Sequence, residues 1–272
     1  MSGRTAAERV ALARHPGRPG TADYIAALCT DFFEQKGDRQ CREDPAILGG
    51  VALFHGRPVT VLGHRKGKNL EENLKCNFGM PGPEGYRKAR RMMEQAEKFR
   101  RPIFTFLDTP GAYPGVEAEA RGQGEAIARN LAVMSALTVP VICVVTGEGN
   151  SGGALAIGVG NTVLMLENAV YSVLSPEGFA SILWKDAARA EEACGIMKLT
   201  AEDLLAAGVI DGILPEPEGG AHTAPQSVFR TVDEALCRAL EGWKRQSGSF
   251  LAAQRYKKFR AMGDPAGKRE RA

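Results

Sequence analysis

Two kinds of apolar patterning alternate along the chain. Short unbroken runs at 47–54, 58–63, 103–107, 139–146, 163–166 and 170–173, several rich in β-branched residues, predict buried strands. Longer stretches repeat their apolar positions every three or four residues. One is 84–99, with Tyr86, Ala89, Met92, Met93, Ala96 and Phe99 on one face. The same spacing predicts helices at 21–35, 119–137, 176–184, 187–197, 201–206 and 227–246, with a further helix beginning at 154–157. A turn at His55-Gly56-Arg57 joins the first two strands, and the Gly-, Asn-, Lys- and Pro-rich stretch 65–85 predicts an exposed loop. Strands alternating with helices imply an α/β layered domain with mainly parallel pairing.

One unit recurs: a buried strand, a glycine-rich loop, then a helix. It occurs at Asp108-Thr109-Pro110-Gly111-Ala112-Tyr113-Pro114-Gly115 and again at Gly147-Glu148-Gly149-Asn150-Ser151-Gly152-Gly153. Glycine lets a backbone approach a ligand closely, and the first N–H groups of the following helix have no intrahelical acceptor. Two such segments at the C-terminal ends of neighbouring parallel strands face the usual ligand crevice, where they could supply backbone donors to one oxyanion. The alternative is a pair of tight turns without a ligand.

Composition narrows the picture. The 272 residues are 44% hydrophobic and 25% charged, the range of a globular protein with a sizeable core. A net charge of +3 gives no footprint for generic nucleic-acid binding. The basic residues cluster at 64–68, 87–101 and 255–271, as solvated faces or as contacts to a phosphorylated ligand. Cysteines 29, 41, 76, 143, 194 and 237 form no C-x-x-C pair, so spacing suggests neither a disulfide framework nor a zinc site. No signal-like or membrane-length apolar run is present, so the expectation is a cytoplasmic protein without a membrane partner. The Gly-Lys at 67–68 lacks P-loop spacing. Gly149-Asn150-Ser151-Gly152-Gly153 also fits G-x-S-x-G, with Asp211 and His222 following in hydrolase order. A serine hydrolase using Ser151 is therefore a second reading.

Beyond these motifs, the chain resembles the alpha subunits of bacterial-type acetyl-CoA carboxylase carboxyltransferase over roughly residues 12–240. The stretches that carry the likeness include Asn77-Phe78-Gly79-Met80-Pro81, Pro83-Glu84-Gly85-Tyr86-Arg87-Lys88-Ala89, 108–115, Arg121-Gly122-Gln123, 152–160 and Ser175-Pro176-Glu177-Gly178. The resemblance implies a crotonase-like (ClpP/crotonase) α/β fold of repeated ββα units with a helical C-terminal region. Its expected divisions are an N-terminal extension at 1–45, the carboxyltransferase domain at 46–246 and a basic tail or helix at 247–272. It implies an α2β2 assembly with a homologous beta subunit, and a biotin carboxyl carrier protein and biotin carboxylase in the same complex. Carboxybiotin and acetyl-CoA/malonyl-CoA would be the reacting partners, and the family's zinc would belong to the beta subunit. Carried over by residue, Gly152 and Gly153 are the leading oxyanion donors, with Gly111 and Ala112 opposite. Ser151 would be a helix N-cap at the substrate site, Asn150 and Tyr113 would also bind substrate, and Glu177 would line the site or cap a helix. Arg65, Lys66 and Lys68 would meet a coenzyme A phosphate. Asn150 and Phe179 stand where smaller residues are common in the family. A different acyl-CoA as acceptor, or a non-catalytic scaffold, remains an alternative.

Overall fold

The computed structural model describes residues 3–263. Its strands are β1 (Thr30–Glu34), β2 (Ile47–Phe54), β3 (Arg57–His64), β4 (Ile103–Thr109), β5 (Val141–Asn150), β6 (Thr162–Leu166), β7 (Val170–Ser172) and β8 (Gly212–Leu214). They form one sheet in the order β1-β2-β3-β4-β5-β6-β8, with β7 also paired to β5. β1, β2 and β3 are antiparallel neighbours, and the remaining ladders are parallel. Every residue of β4 and β5 is buried, which explains their unbroken apolar runs: strands covered on both faces have no polar side to alternate with.

Helices α1 (Ala6–Ala13) and α2 (Thr21–Leu28) precede the sheet, and α3 (Leu70–Lys75) and α4 (Pro83–Lys98) lie between β3 and β4. Next come α5 (Val116–Ala120), α6 (Gln123–Ala136), α7 (Ser151–Leu155), α8 (Pro176–Trp184), α9 (Ala190–Met197) and α10 (Ala201–Ala206). The last two are α11 (Pro225–Trp243) and α12 (Gly248–Ala261). Helix α4 has Pro83 at its first turn beside Glu84 and Lys98 in its last, the charge order its dipole favours. The sheet is covered on both sides. The position of Gly49 on β2, paired with Leu62 of β3, faces Met92 of α4, while Gly63, the residue after Leu62, faces Thr21 of α2, as strand alternation requires.

The structure departs from the sequence expectations in several places. The helix expected over 21–35 stops at Leu28, and Thr30–Glu34 instead pairs with β2 as an edge strand, because Thr30-Asp31-Phe32-Phe33 suits an extended edge better than a helix. The expected loop 65–85 contains α3 and a short 3-10 turn at Asn77–Gly79; Asn69 caps α3 by accepting from the Glu72 N–H. The expected helix over 119–137 is two helices, broken at Gly122 with φ of 84°. The second glycine segment is no loop, since β5 runs through Asn150 while its end pairs with β7. The tail begins with α12, whose Leu251 and Arg255 are buried; its last residues, 264–272, lie outside the described residues.

Candidate functional site

The ends of β4 and β5 bring the two glycine segments into direct contact. A Cβ on Gly153 would stand 2.4 Å from the Ala112 nitrogen and 2.6 Å from the Gly111 carbonyl carbon, so only glycine lets the backbones meet there. A Cβ on Gly152 would touch nothing nearer than Ile127 at 3.6 Å. The two glycines thus differ: Gly153 is required by packing, and Gly152 is not. Thr109 braces the first segment, its hydroxyl accepting from the Gly111 N–H at 3.0 Å and donating to the Gly111 carbonyl at 2.7 Å.

Two buried side chains outside the expected site residues hold the second segment. The Gly153 carbonyl accepts from the Tyr86 hydroxyl and from His64 Nε2, each at 3.2 Å. His64 Nδ1 accepts the Asp108 N–H at 3.3 Å, which places the ring proton on Nε2. Burial drives the His64 pKa down to about 3, so the imidazole is neutral and links both segments. The available sequence signal was a histidine at the end of a buried strand, where its ring nitrogens must find partners.

Next to this junction runs a chain of five alternating charges. Lys66 Nζ lies 2.7 Å from Asp108 and 2.9 Å from Glu148, and Arg14 lies 2.7 Å from Glu148 and 2.6 Å from Glu177. Burial opposes the Lys66 charge, but the Asp108 and Glu148 carboxylates hold its pKa above the usual value. Burial likewise opposes ionisation of Glu148, yet Lys66 and Arg14 hold its pKa low. The Arg14 hydrogen bond brings Glu177 down to about 2. Asp108 and Glu148 lie within the two glycine segments, but their ion pairs with Lys66 and Arg14 came only from the structure, because the partners are remote in sequence.

An apolar cleft of about 330 Å³ opens beside α7, lined by Ser151, Gly152, Leu155, Tyr171, Val173 and Leu204 among others. The first N–H groups of α7 lack intrahelical acceptors and belong to the residues at the cleft edge. Ser151 lines the cleft but is not the N-cap. Asn150 holds that position, and Ser151 is the first helical residue, at φ of 61°. Asn150 is buried; its Oδ1 accepts from the Ser172 hydroxyl at 2.9 Å, while its Nδ2 has no partner among the described residues. Glu177 does not cap α8. Ser175 does, accepting from the Gly178 N–H at 3.1 Å.

The remaining sequence candidates lie elsewhere. Tyr113 points to Glu117, its hydroxyl 3.2 Å from that carboxylate, and lines a separate polar hollow with Arg42, Glu84 and Arg121. Lys66 and Lys68 line a polar pocket of about 140 Å³ with Arg14, His15 and Arg18. Lys68 pairs with Asp23 at 2.6 Å, and the Arg65 N–H bonds the Ala46 carbonyl. The hydrolase triad is not assembled. Asp211 accepts from the Val163 N–H and from Lys258, the His222 ring stacks on His15 at 3.6 Å, and neither bonds Ser151 among the described residues. No helix among these residues is long and apolar enough to cross a membrane.

Known proteins resemble this chain in sequence and in fold. A family model described as acetyl co-enzyme A carboxylase carboxyltransferase-like matches residues 2–263. The acetyl-coenzyme A carboxylase carboxyl transferase subunit alpha of Anoxybacillus flavithermus is 59% identical over 257 residues, covering 94% of this chain and 79% of the relative. That of a Listeria monocytogenes strain is 55% identical over 262 residues, 96% of this chain and 82% of the relative. Among solved structures, transcarboxylase 12S superposes with a TM-score of 0.68 at 21% identity, over 85% of this chain and 43% of that longer one. A Pseudomonas malonate decarboxylase hetero-tetramer gives 0.65 at 18% identity, over 84% and 88%. At these identities the structural likeness speaks to fold, and the fold is crotonase-like.

Proposed function

We propose a division of labour among the residues above from the premise that this chain belongs to the family of acetyl-CoA carboxylase carboxyltransferase alpha subunits. The family's reaction, performed with a beta subunit, moves a carboxyl group from carboxybiotin to acetyl-CoA and supplies malonyl-CoA for fatty-acid synthesis. Carboxybiotin, when bound, supplies the activated carboxyl group. The apolar cleft beside α7 suits its bicyclic ring: Leu155, Tyr171 and Val173 offer apolar walls, and the N–H groups of Gly152 and Gly153 offer donors for a ureido oxygen. A preorganised donor of this kind is typically worth about 3 kcal/mol of barrier. Gly111 and Ala112 fix where those donors point, because Gly153 packs on their backbone. His64 and Tyr86 hold the Gly153 carbonyl, the next peptide along, so the turn of backbone that carries the donors is fixed by both. Such fixed dipoles need no reorganisation as charge develops.

Lys66 is committed to Asp108 and Glu148. Its part here is to position β4 against β5, with any coenzyme A phosphate contact falling to Arg65 and Lys68. The beta subunit completes the site across the open cleft, and the carrier protein delivers the biotin to it.

One observation carries this reading: the required contact of Gly153 with Gly111–Ala112 at the edge of an apolar cleft. The test is carboxylation of free biotin by malonyl-CoA, measured with this chain, with its beta subunit, and with both. Turnover only in the mixture, lost by at least tenfold in Gly153→Ala, supports the shared site. Equal turnover by either subunit alone, or by the Gly153→Ala mixture, sinks it. Methylmalonyl-CoA in the same assay reads the acyl preference.

A further inference from the structure

Far from the cleft, the turn between β2 and β3 meets α11. That turn and His64 lie at opposite ends of β3, which at about 3.3 Å per residue separates them by more than 20 Å. His55 stands in the turn with φ of 47°, its ring edge-on to Phe54 at 4.6 Å between centroids. Its Nε2 lies 2.8 Å from Asp233 Oδ1 on α11. One helical turn further along, Cys237 shows its sulfur on the same face. A ring nitrogen, a carboxylate oxygen and a sulfur from these three residues all lie within 4.8 Å of one another.

We propose that His55, Asp233 and Cys237 bind one zinc ion that ties the β2–β3 turn to α11. Zinc–ligand distances of about 2.0–2.3 Å in tetrahedral geometry set donor atoms roughly 3.3–3.7 Å apart, so side-chain rotations of about an ångström bring the three into place. The donor set chooses the ion. Imidazole and thiolate suit zinc and other late transition metals, whereas magnesium and calcium want oxygen alone. His55 is 61% exposed at its side chain, which leaves the fourth position to water. On binding, Cys237 gives its proton to solvent and ligates as thiolate. Sequence spacing does not mark the site, because His55 lies 178 residues from Asp233. The site stands independently of the carboxyltransferase reading.

The test uses the full chain, reduced, metal-stripped and free of partner subunits. Cobalt(II) is the optical probe and zinc the competitor. One equivalent of cobalt should give a thiolate-to-metal charge-transfer band, abolished by one equivalent of zinc, and zinc should raise the thermal midpoint. Cys237→Ser should remove the band. His55→Ala, at an exposed turn, should fold normally and bind zinc at least tenfold more weakly. Cys29→Ser, a neighbouring thiol, should leave the band intact. Absence of the band in the wild-type chain, its survival in Cys237→Ser, or unchanged zinc affinity in His55→Ala overturns the proposal.

Discussion

At the residue scale, the two glycines that the sequence pairs as equals separate in the structure. Gly153→Ala places a methyl group against the Ala112 nitrogen and Gly111 carbonyl carbon, backbone atoms that can yield only by parting the segments. We expect it to cost about 1–3 kcal/mol, read by chemical denaturation. Gly152→Ala meets only the Ile127 side chain at 3.6 Å and should stay within about 0.5 kcal/mol of wild type. Backbone donors leave no side-chain signature, which is why the motif showed where the chain narrows but not which glycine narrows it. His64 carries a second expectation. Its folded pKa of about 3 lies below the unfolded value of about 6.5, so the unfolded chain binds the extra proton between those limits. Stability from this group is full above pH 6.5 and falls on acidification, by up to about 1.4 kcal/mol per pH unit. His64→Gln should therefore show a shallower loss of stability between roughly pH 6 and pH 4, measured by denaturant titration at each pH.

At the scale of elements, the sequence served best where burial is complete. β4 and β5 were legible because both faces are covered, and α10 because Thr200 caps it ahead of an acidic first turn. β1 was not legible, since its edge position gives it no regular alternation. Helix α12 shows what a charge run can hide. Within what reads as a solvated basic tail, Arg255 is wholly buried and donates to the carbonyls of Met134, Leu137 and Val139 and to Asn161 Oδ1. It closes the C-terminal end of α6, and burial lowers its pKa to about 10. Arg255→Ala leaves those acceptors buried without a donor and should cost at least about 3 kcal/mol. Arg255→Lys should recover only part of that, because an ammonium cannot span the planar fork of acceptors. Urea unfolding of the three proteins compares them directly.

At the scale of the whole molecule, the cleft is only half enclosed. Val173 on its wall is 75% exposed, and Ile182 and Leu183 on α8, the helix that follows it in the chain, are 68% and 55% exposed. Large apolar side chains left this exposed are candidates for an interaction surface. Ile182→Asp should weaken association with the beta subunit by at least tenfold in calorimetric titration, while leaving the thermal midpoint of the isolated chain unchanged. A variant that still associates at wild-type affinity would move the partner to another face. Neither this face nor the charge chain from Asp108 to Glu177 was visible in sequence, because each gathers residues from several elements.

The strand that carries the candidate site is also the one with the most neighbours. β5 pairs with β4 on one side and with β6 and β7 in succession on the other, and all ten of its residues are buried. Its amide protons should therefore exchange with solvent only when the entire domain opens, whereas those of α8 and α9, with their exposed faces, exchange through local fluctuations. The N-terminal end of α7 is thus anchored to the last part of the molecule to let go. The surface helices can therefore loosen repeatedly without the backbone at that end of α7 being rebuilt each time.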